Sequence, residues 1–397
     1  MGMFFKIAYK SLSDRKASAL MTLLALTVSI SVLVSVEHIR VQAKESFANT
    51  VSGTDLIVGA RTGSLNLLLY SVFRVGTPTN NIAWSTYQDI SGSSEVKWSV
   101  PLSLGDSHRG YRVLGTNQDY FRYFSYGQKH PLVFAAGREF KSTFEVVLGA
   151  AVARALNYQP GDEILLSHGI ASASFNLHKG SPFSVVGILE PTGTPVDQTV
   201  HVSLQGLSAI HDSAQYAGDP DSITAFLVAL KSRVGVFSLQ RQVNNYRAEP
   251  VMAILPGIAL SELWQMMAMV EQTLRLISVL VLISALLGLS AMLLSSVRER
   301  RHEIQLLRMT GAPPWYLFLL SEAEVLLITL LGLGVSLLLV VISFTAGQTY
   351  LAGHFGINIS ADIFTLSTLV SCLIVTGSAL VIGALPAIAM YLRALRP

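Results

Sequence analysis

The chain has 397 residues, a formal net charge of +3, and a composition that is 51% hydrophobic but only 13% charged. A soluble chain carries roughly twice that charged fraction, and the basic residues cluster beside apolar runs, which argues against a soluble enzyme or a nucleic-acid binder. The one cysteine, Cys372, lies inside an apolar run, so no disulfide is expected to hold any part outside a membrane.

Residues 1–16 read as a short interfacial amphipathic helix. Phe4, Phe5, Ile7, Ala8 and Leu12 form the apolar face, and Lys6 and Lys10 face headgroups; a plain N-terminal tail is the alternative. Residues 17–36 form the first of four runs almost free of charge; the others are 276–297, 325–346 and 364–385. Each has about the 20 residues that a transmembrane helix needs. Any single run could be a buried core helix, but four together point to membrane insertion. The first is too long for the apolar core of a signal peptide and lacks a small-residue cleavage site after it, so it reads as an uncleaved span.

Basic residues set the orientation. Lys6, Lys10, Arg15 and Lys16 precede the first span, Arg298, Arg300, Arg301 and Arg308 lie between the second and third, and Arg393 and Arg396 follow the fourth. The loop 347–363 has no Lys or Arg. Both termini and the tail 386–397 are therefore expected in the cytoplasm, with residues 37–272 outside. The expected fold class is an integral membrane α-helical protein of four transmembrane helices, with a large α+β extracytoplasmic domain inserted between helices 1 and 2.

Apolar positions continue beyond the first span at Val36, Ala43, Phe47 and Val51. Before the second span, Leu263, Met267, Val270, Leu274 and Ile277 recur at spacings of four and three, a heptad-like seam that runs into the membrane. Both flanks read as helices that leave the bilayer as a paired stalk; packing onto the outer domain is the alternative. Within the insert, Asp55–Gly59, Tyr111–Thr116, Glu145–Gly149, Gly161–Ser167, Phe183–Leu189 and Ile223–Leu230 read as strands, and Ala150–Leu156 and Val234–Asn245 as helices. This is an α+β layout, read as two small lobes with an exposed loop at Pro191–Pro195.

The segment 298–315 is the densest in charge. Glu299, Arg300, Arg301, Glu303 and Arg308 are interleaved with Ile304 and Leu307 and precede Gly311, as a short cytoplasmic helix made to bind another protein would be. No catalytic residues are expected. The chain has no phosphate-binding G-x-x-x-x-G-K-[ST] loop, no H-E-x-x-H and no G-x-S-x-G, so a partner must bind any ATP. Histidines lie mostly in the outer parts, at 38, 108, 130, 168, 178, 201, 211 and 354, without compact ligand spacing, and no metal site is assigned. Glu322 and Glu324 are the acidic residues that stand out in the spans, and pairing with Arg301 or Arg308 is preferred to a substrate site.

The run Glu299-Arg-Arg-His-Glu-Ile-Gln-Leu-Leu-Arg-Met-Thr-Gly-Ala312 resembles the signature of FtsX-like permeases, the membrane subunits of ABC transporters of the MacB and LolC/LolE kind. Glu322 resembles their acidic residue at the start of span three, and Leu385-Pro-Ala387 with the final Leu-Arg-Ala-Leu-Arg-Pro397 their C-terminal end. In the insert, Val146–Leu156 with Gly161-Asp162, and Val185–Leu189 with Thr192-Gly-Thr-Pro-Val-Asp197, are similar to the MacB-like periplasmic core domain. Pro313 and Pro314 depart from the pattern and should end the charged helix sharply. The absence of a fused ATPase makes the layout closer to LolC/LolE.

The resemblance implies a permease dimer, of like or unlike subunits, seated on two cytoplasmic ATPase copies that use ATP and Mg. The charged helix would dock on the ATPase, and its motion would do work on a periplasmic substrate without passing it through the spans. Lipoprotein release, or export of peptides or small molecules, would be that work, in a bacterial inner membrane. One alternative is a regulator that activates a periplasmic cell-wall hydrolase; a weaker one is a zinc-linked system.

Overall fold

The protein is described from a computed structural model covering residues 16–50, 52–168, 182–211, 218–299, 309, 313–355 and 362–395. Four helices are long and apolar enough to cross a membrane, and a mixed α/β domain lies between the first and second of them in the chain. The chain forms two compact units. One holds the described parts of Met1–Gln42, Ala268–Gln348 and Ser360–Pro397; the other holds Ala43–Met267 and Thr349–Ile359.

Helix α1 runs unbroken over Lys16–Asn49 and leads into the outer domain. There the chain forms β1 (Leu56–Ala60), α2 (Ser64–Ser71), β2 (Ile82–Ala83), α3 (Trp84–Ser91), β3 (Val96–His108), β4 (Tyr111–Thr116) and α4 (Asp119–Tyr123). Next come β5 (Ser125–Tyr126), β6 (His130–Pro131), β7 (Phe134–Gly137), β8 (Glu145–Leu148), α5 (Ala150–Leu156), β9 (Glu163–Ile164), β10 (Ser167–His168) and β11 (Phe183–Leu189). The domain closes with β12 (Thr199–Ser203), α6 (Leu204–His211), β13 (Ser222–Ile223), β14 (Ala225–Leu230), α7 (Val236–Asn244) and β15 (Val251–Ile254).

One continuous sheet orders the strands β15-β1-β14-β3-β4-β12-β8-β11-β7, with β9 beside β11 and β10 beside β3. It is covered on both faces. Val147 and Leu114 point into one core with Leu102 and Tyr120, while their neighbours Val146, Leu148 and Val113 point into another with Val152 of α5. Alternate side chains take opposite faces of a strand, so β1, β8 and β14 read as nearly continuous apolar runs because both faces are buried.

Strand β3 unites the two halves that the sequence suggested as lobes. Its first part, Val96–Leu102, pairs with β14, and after that Ser103, Leu104, Ser107 and His108 pair with β4, with a register break between Leu104 and Ser107. The sequence did not mark it as a strand, because Pro101 and Gly105 interrupt the pattern. The expected single strand Gly161–Ser167 is instead two short pieces. β9 pairs with β11 and β10 with β3, because the chain crosses between them from one neighbour to another. At the end of β7, Gly137 has φ +75°, and a Cβ there would lie 2.0 Å from the Val186 carbonyl, so only glycine fits.

The helical unit contains the inner part of α1 with α8 (Pro256–Glu299), α9 (Pro314–Phe355) and α10 (Leu366–Leu395), whose bounds reach beyond the unit at some ends. Pro314 opens α9, where the first turn needs no N–H from it. Leu26, Ile30, Leu286, Leu289, Val325 and Ala379 are buried between helices, and Leu331, Leu338, Leu373 and Val381 face outward, as lipid-facing residues would. Ser31 and Ser336 meet through their hydroxyls at 3.1 Å. A Cβ on Gly383 would lie 2.6 Å from Val325 Cγ2, so this glycine sets the close approach of α10 to α9.

Candidate functional site

Most of the charged segment lies outside the described residues. Arg300, Arg301, Glu303, Ile304, Leu307, Arg308 and Gly311 are among those not described, and Glu299 is the last residue of α8. Glu322, on α9, has a buried carboxylate oxygen with no hydrogen-bond partner, and Glu324 is buried.

The stalk positions can be followed one by one. Val36, Ala43 and Phe47 on α1 are half-buried, as is Leu263 on α8, while Met267, Val270 and Leu274 of the predicted seam are exposed, as is Ile277. Within the outer unit, Phe47 packs on Phe73 at 4.7 Å and meets Trp264 edge-on at 5.7 Å. In the helical unit, α1 and α8 join through charges that the apolar periodicity did not reveal. Glu37 binds Arg40 at 2.6 Å on its own helix and Arg275 at 3.4 Å on α8, and Arg40 reaches Glu271 at 3.9 Å.

The order is complementary. Glu37 and Arg40 ascend one helix while Arg275 and Glu271 descend the other, so two rungs of opposite sign meet in antiparallel register. Glu37 and Arg275 directly flank the apolar runs of their helices, which places the first rung at the outer boundary of both spans. At 100° per residue, Glu271 and Arg275 lie about a quarter-turn round α8 from the seam of Met267, Val270 and Leu274. The charges therefore take the face toward α1 and leave the apolar seam open. A sequence signal for the rungs existed: E-x-x-R at 37–40 against E-x-x-x-R at 271–275.

In the outer domain, the loop that follows β11 is held by one carboxylate. Asp197 accepts from the Thr192 N–H and hydroxyl and from the Gly193 N–H, each at 2.8 Å. Glu145 at the start of β8 takes both Arg138 guanidinium nitrogens at 2.8 Å and the Lys141 N–H at 2.7 Å. The Arg138 bond, aided by the Lys141 and Ser142 N–H groups, holds its pKa down at about 2. A polar recess of about 520 Å³ is lined by residues that include Asn117, Asp119, Arg122, Lys141 and Gln205.

The described histidines do not converge. His108 meets the Leu165 carbonyl at 2.7 Å and the Tyr158 hydroxyl at 3.1 Å, His201 faces the Val147 carbonyl at 3.3 Å, and His38 packs on Phe344 at 5.0 Å. No group of three metal-capable side chains occurs among the described residues.

Comparison with known proteins gives two family matches. The profile described as MacB-like periplasmic core domain matches residues 19–246, and that described as FtsX-like permease C-terminal matches residues 275–395. Among solved structures, the periplasmic region of MacB from Actinobacillus actinomycetemcomitans aligns with 54% of this chain and 94% of its own, at 14% identity and a TM-score of 0.36. The extracellular domain of the ABC-type transporter YknZ from Gram-positive bacteria aligns with 51% of this chain and 99% of its own, at 14% identity and a TM-score of 0.33. No curated protein matches at a significant level.

Proposed function

Since this chain belongs to the FtsX-like permeases that carry a MacB-like periplasmic core domain, we propose that it is the membrane subunit of an ABC system whose ATPase is a separate chain. It is a membrane protein with a large extracytoplasmic domain; the distribution of Lys and Arg supports both termini inside, and an inner-membrane location is part of the proposal.

The observation that carries the reading is the continuity of two helices. α1 extends from Lys16 to Asn49 and α8 from Pro256 to Glu299, each running from an apolar span into the sequence of the outer domain without a break. An unbroken hydrogen-bond ladder transmits displacement along its axis. The near absence of ionisable groups from the apolar runs fits work done outside the membrane better than a charged path through it. Two copies of the chain, or one copy and a related subunit, would meet along the open seam at Met267, Val270 and Leu274.

In this reading Glu299, Arg300, Arg301, Glu303 and Arg308 make polar contacts with the ATPase, Ile304 and Leu307 the apolar ones, and Gly311 belongs to the same coupling segment, which Pro313 and Pro314 end. ATP and Mg are used by the partner. The substrate would be a lipoprotein, peptide or small molecule released or exported from the periplasm. Charge reversal at Arg301 or Arg308 is expected to leave membrane insertion intact and to abolish the stimulation of a co-expressed ATPase. Full stimulation by both variants would remove the docking assignment.

A further inference from the structure

Arg74 and Arg112 of the outer domain, like Arg61, have hydrogen bonds only to main-chain oxygens among the described residues. Arg74 follows α2 in left-handed backbone at φ 60°, and its Nη1 donates to the Ser71 carbonyl. Arg112 on β4 donates from Nη2 to the Gly76 carbonyl at 2.6 Å, so both guanidinium groups are tied to the segment 71–76. Neither takes part in any ion pair among the described residues. Burial pulls the pKa of each guanidinium down, and no carboxylate acts to raise it.

The polar groups beside Arg74 are also unsatisfied. Its Nε, the Tyr120 hydroxyl and His201 Nε2 are buried without a hydrogen-bond partner. The Tyr120 hydroxyl lies near the Arg74 guanidinium without closing a bond of proper geometry, and the rings of Tyr120 and His201 are 5.3 Å apart. Arg112 belongs to the same face of the sheet. It is two residues from Leu114, which pairs with His201, and it pairs with Thr199 itself.

An arginine keeps its charge at every accessible pH, and a desolvated charge without a counter-ion is costly. A neutral hydrogen-bonding group would satisfy the stranded donors but leave the charge. An oxyanion does both, and the planar fork of a guanidinium fits it in bidentate fashion. Arg112 is half-buried, and Val75 and Gly76, which follow Arg74 directly, are exposed, Val75 by 57%.

We propose that Arg74 and Arg112 form a binding site for an oxyanion, a carboxylate or phosphate group on the molecule that the outer domain handles. The site goes beyond the coupling role and is independent of it, so its test uses no ATPase readout. Thermal unfolding of the purified full chain is followed in neutral detergent at constant ionic strength, with chloride replaced by acetate or by inorganic phosphate. At ten times the dissociation constant, a specific site raises Tm by about 3–5 °C.

Arg112→Gln should abolish most of that rise, and Arg74→Asn, which tolerates left-handed backbone, should do the same. Arg112→Lys should keep part of it. Without anion, Arg112→Gln should be as stable as the parent or more so, because it removes an uncompensated charge. Nanodiscs of phosphatidylglycerol against phosphatidylcholine, without added anion, separate a lipid headgroup from a free oxyanion: stabilisation by the former that Arg112→Gln removes assigns the headgroup. No response in any arm, or an equal rise in the parent and both neutral variants, overturns the site.

Discussion

His201 is neutral in the folded domain because its ring has no access to water. Burial, reinforced by the Arg74 charge, drives its pKa down to about 3. The folded value lies below the ordinary 6.5, so the unfolded chain binds more protons between the two and stability falls as pH drops through that range. Replacement by Leu should flatten this dependence. Urea unfolding followed by tryptophan fluorescence is the measurement, and equal slopes for parent and variant between about pH 6 and 4.5 would show that another group is responsible. Glu145 acts lower, because its contribution is complete above its ordinary value of 4.5 and is lost as pH falls toward about 2. Glu145→Gln should cost about 1–2 kcal/mol at neutral pH and remove the lower part of the acid transition. Neither behaviour was legible in the sequence, since His201 and Glu145 gain their surroundings from Arg74 and Arg138 through the fold.

At the scale of elements, the pairing of α1 with α8 includes a ladder of charges beside its apolar contacts. The heptad-like spacing of Leu263, Met267, Val270 and Leu274 was legible, but periodicity says only that a face is apolar, not which partner covers it. The ladder of Glu37, Arg40, Glu271 and Arg275 is partly exposed, with side-chain exposures from 20% to 60%, so each pair adds little alone. Its value is in register, since a slip by one turn would set like charges opposite. Glu37→Arg and Arg275→Glu should each weaken the association of the two helices, and the double exchange should restore it, with a coupling of about 0.5–1 kcal/mol in a double-mutant cycle. A cysteine pair at 37 and 275 should cross-link readily in membranes. Strict additivity of the two reversals, with no cross-link, would contradict the ladder.

At the scale of the whole molecule, one sheet carries the outer domain and four long apolar helices carry the rest. The open seam on α8 is the face expected to meet a second permease copy. On the proposed pairing of two permease subunits, like or unlike, Met267→Asp combined with Leu274→Asp should release the partner subunit from the detergent-solubilised complex in native mass spectrometry. A dimer of unchanged strength in the variant would place the contact elsewhere.

The sequence by itself determined the membrane class, the number of long apolar helices and the insertion of an α/β domain after the first of them. These follow from local quantities: run length, charge depletion and strand-like alternation, each written in contiguous residues. Tertiary structure decided that β3 serves two neighbours in turn, that Gly161–Ser167 divides into two strands, and that Glu37 faces Arg275 across 238 positions of chain. It also decided that Arg74 and Arg112 converge on one loop, where neither has an ion-pair partner among the described residues. These depend on which segments approach one another, and approach is fixed by the packing of the whole sheet and bundle, which no window of sequence contains.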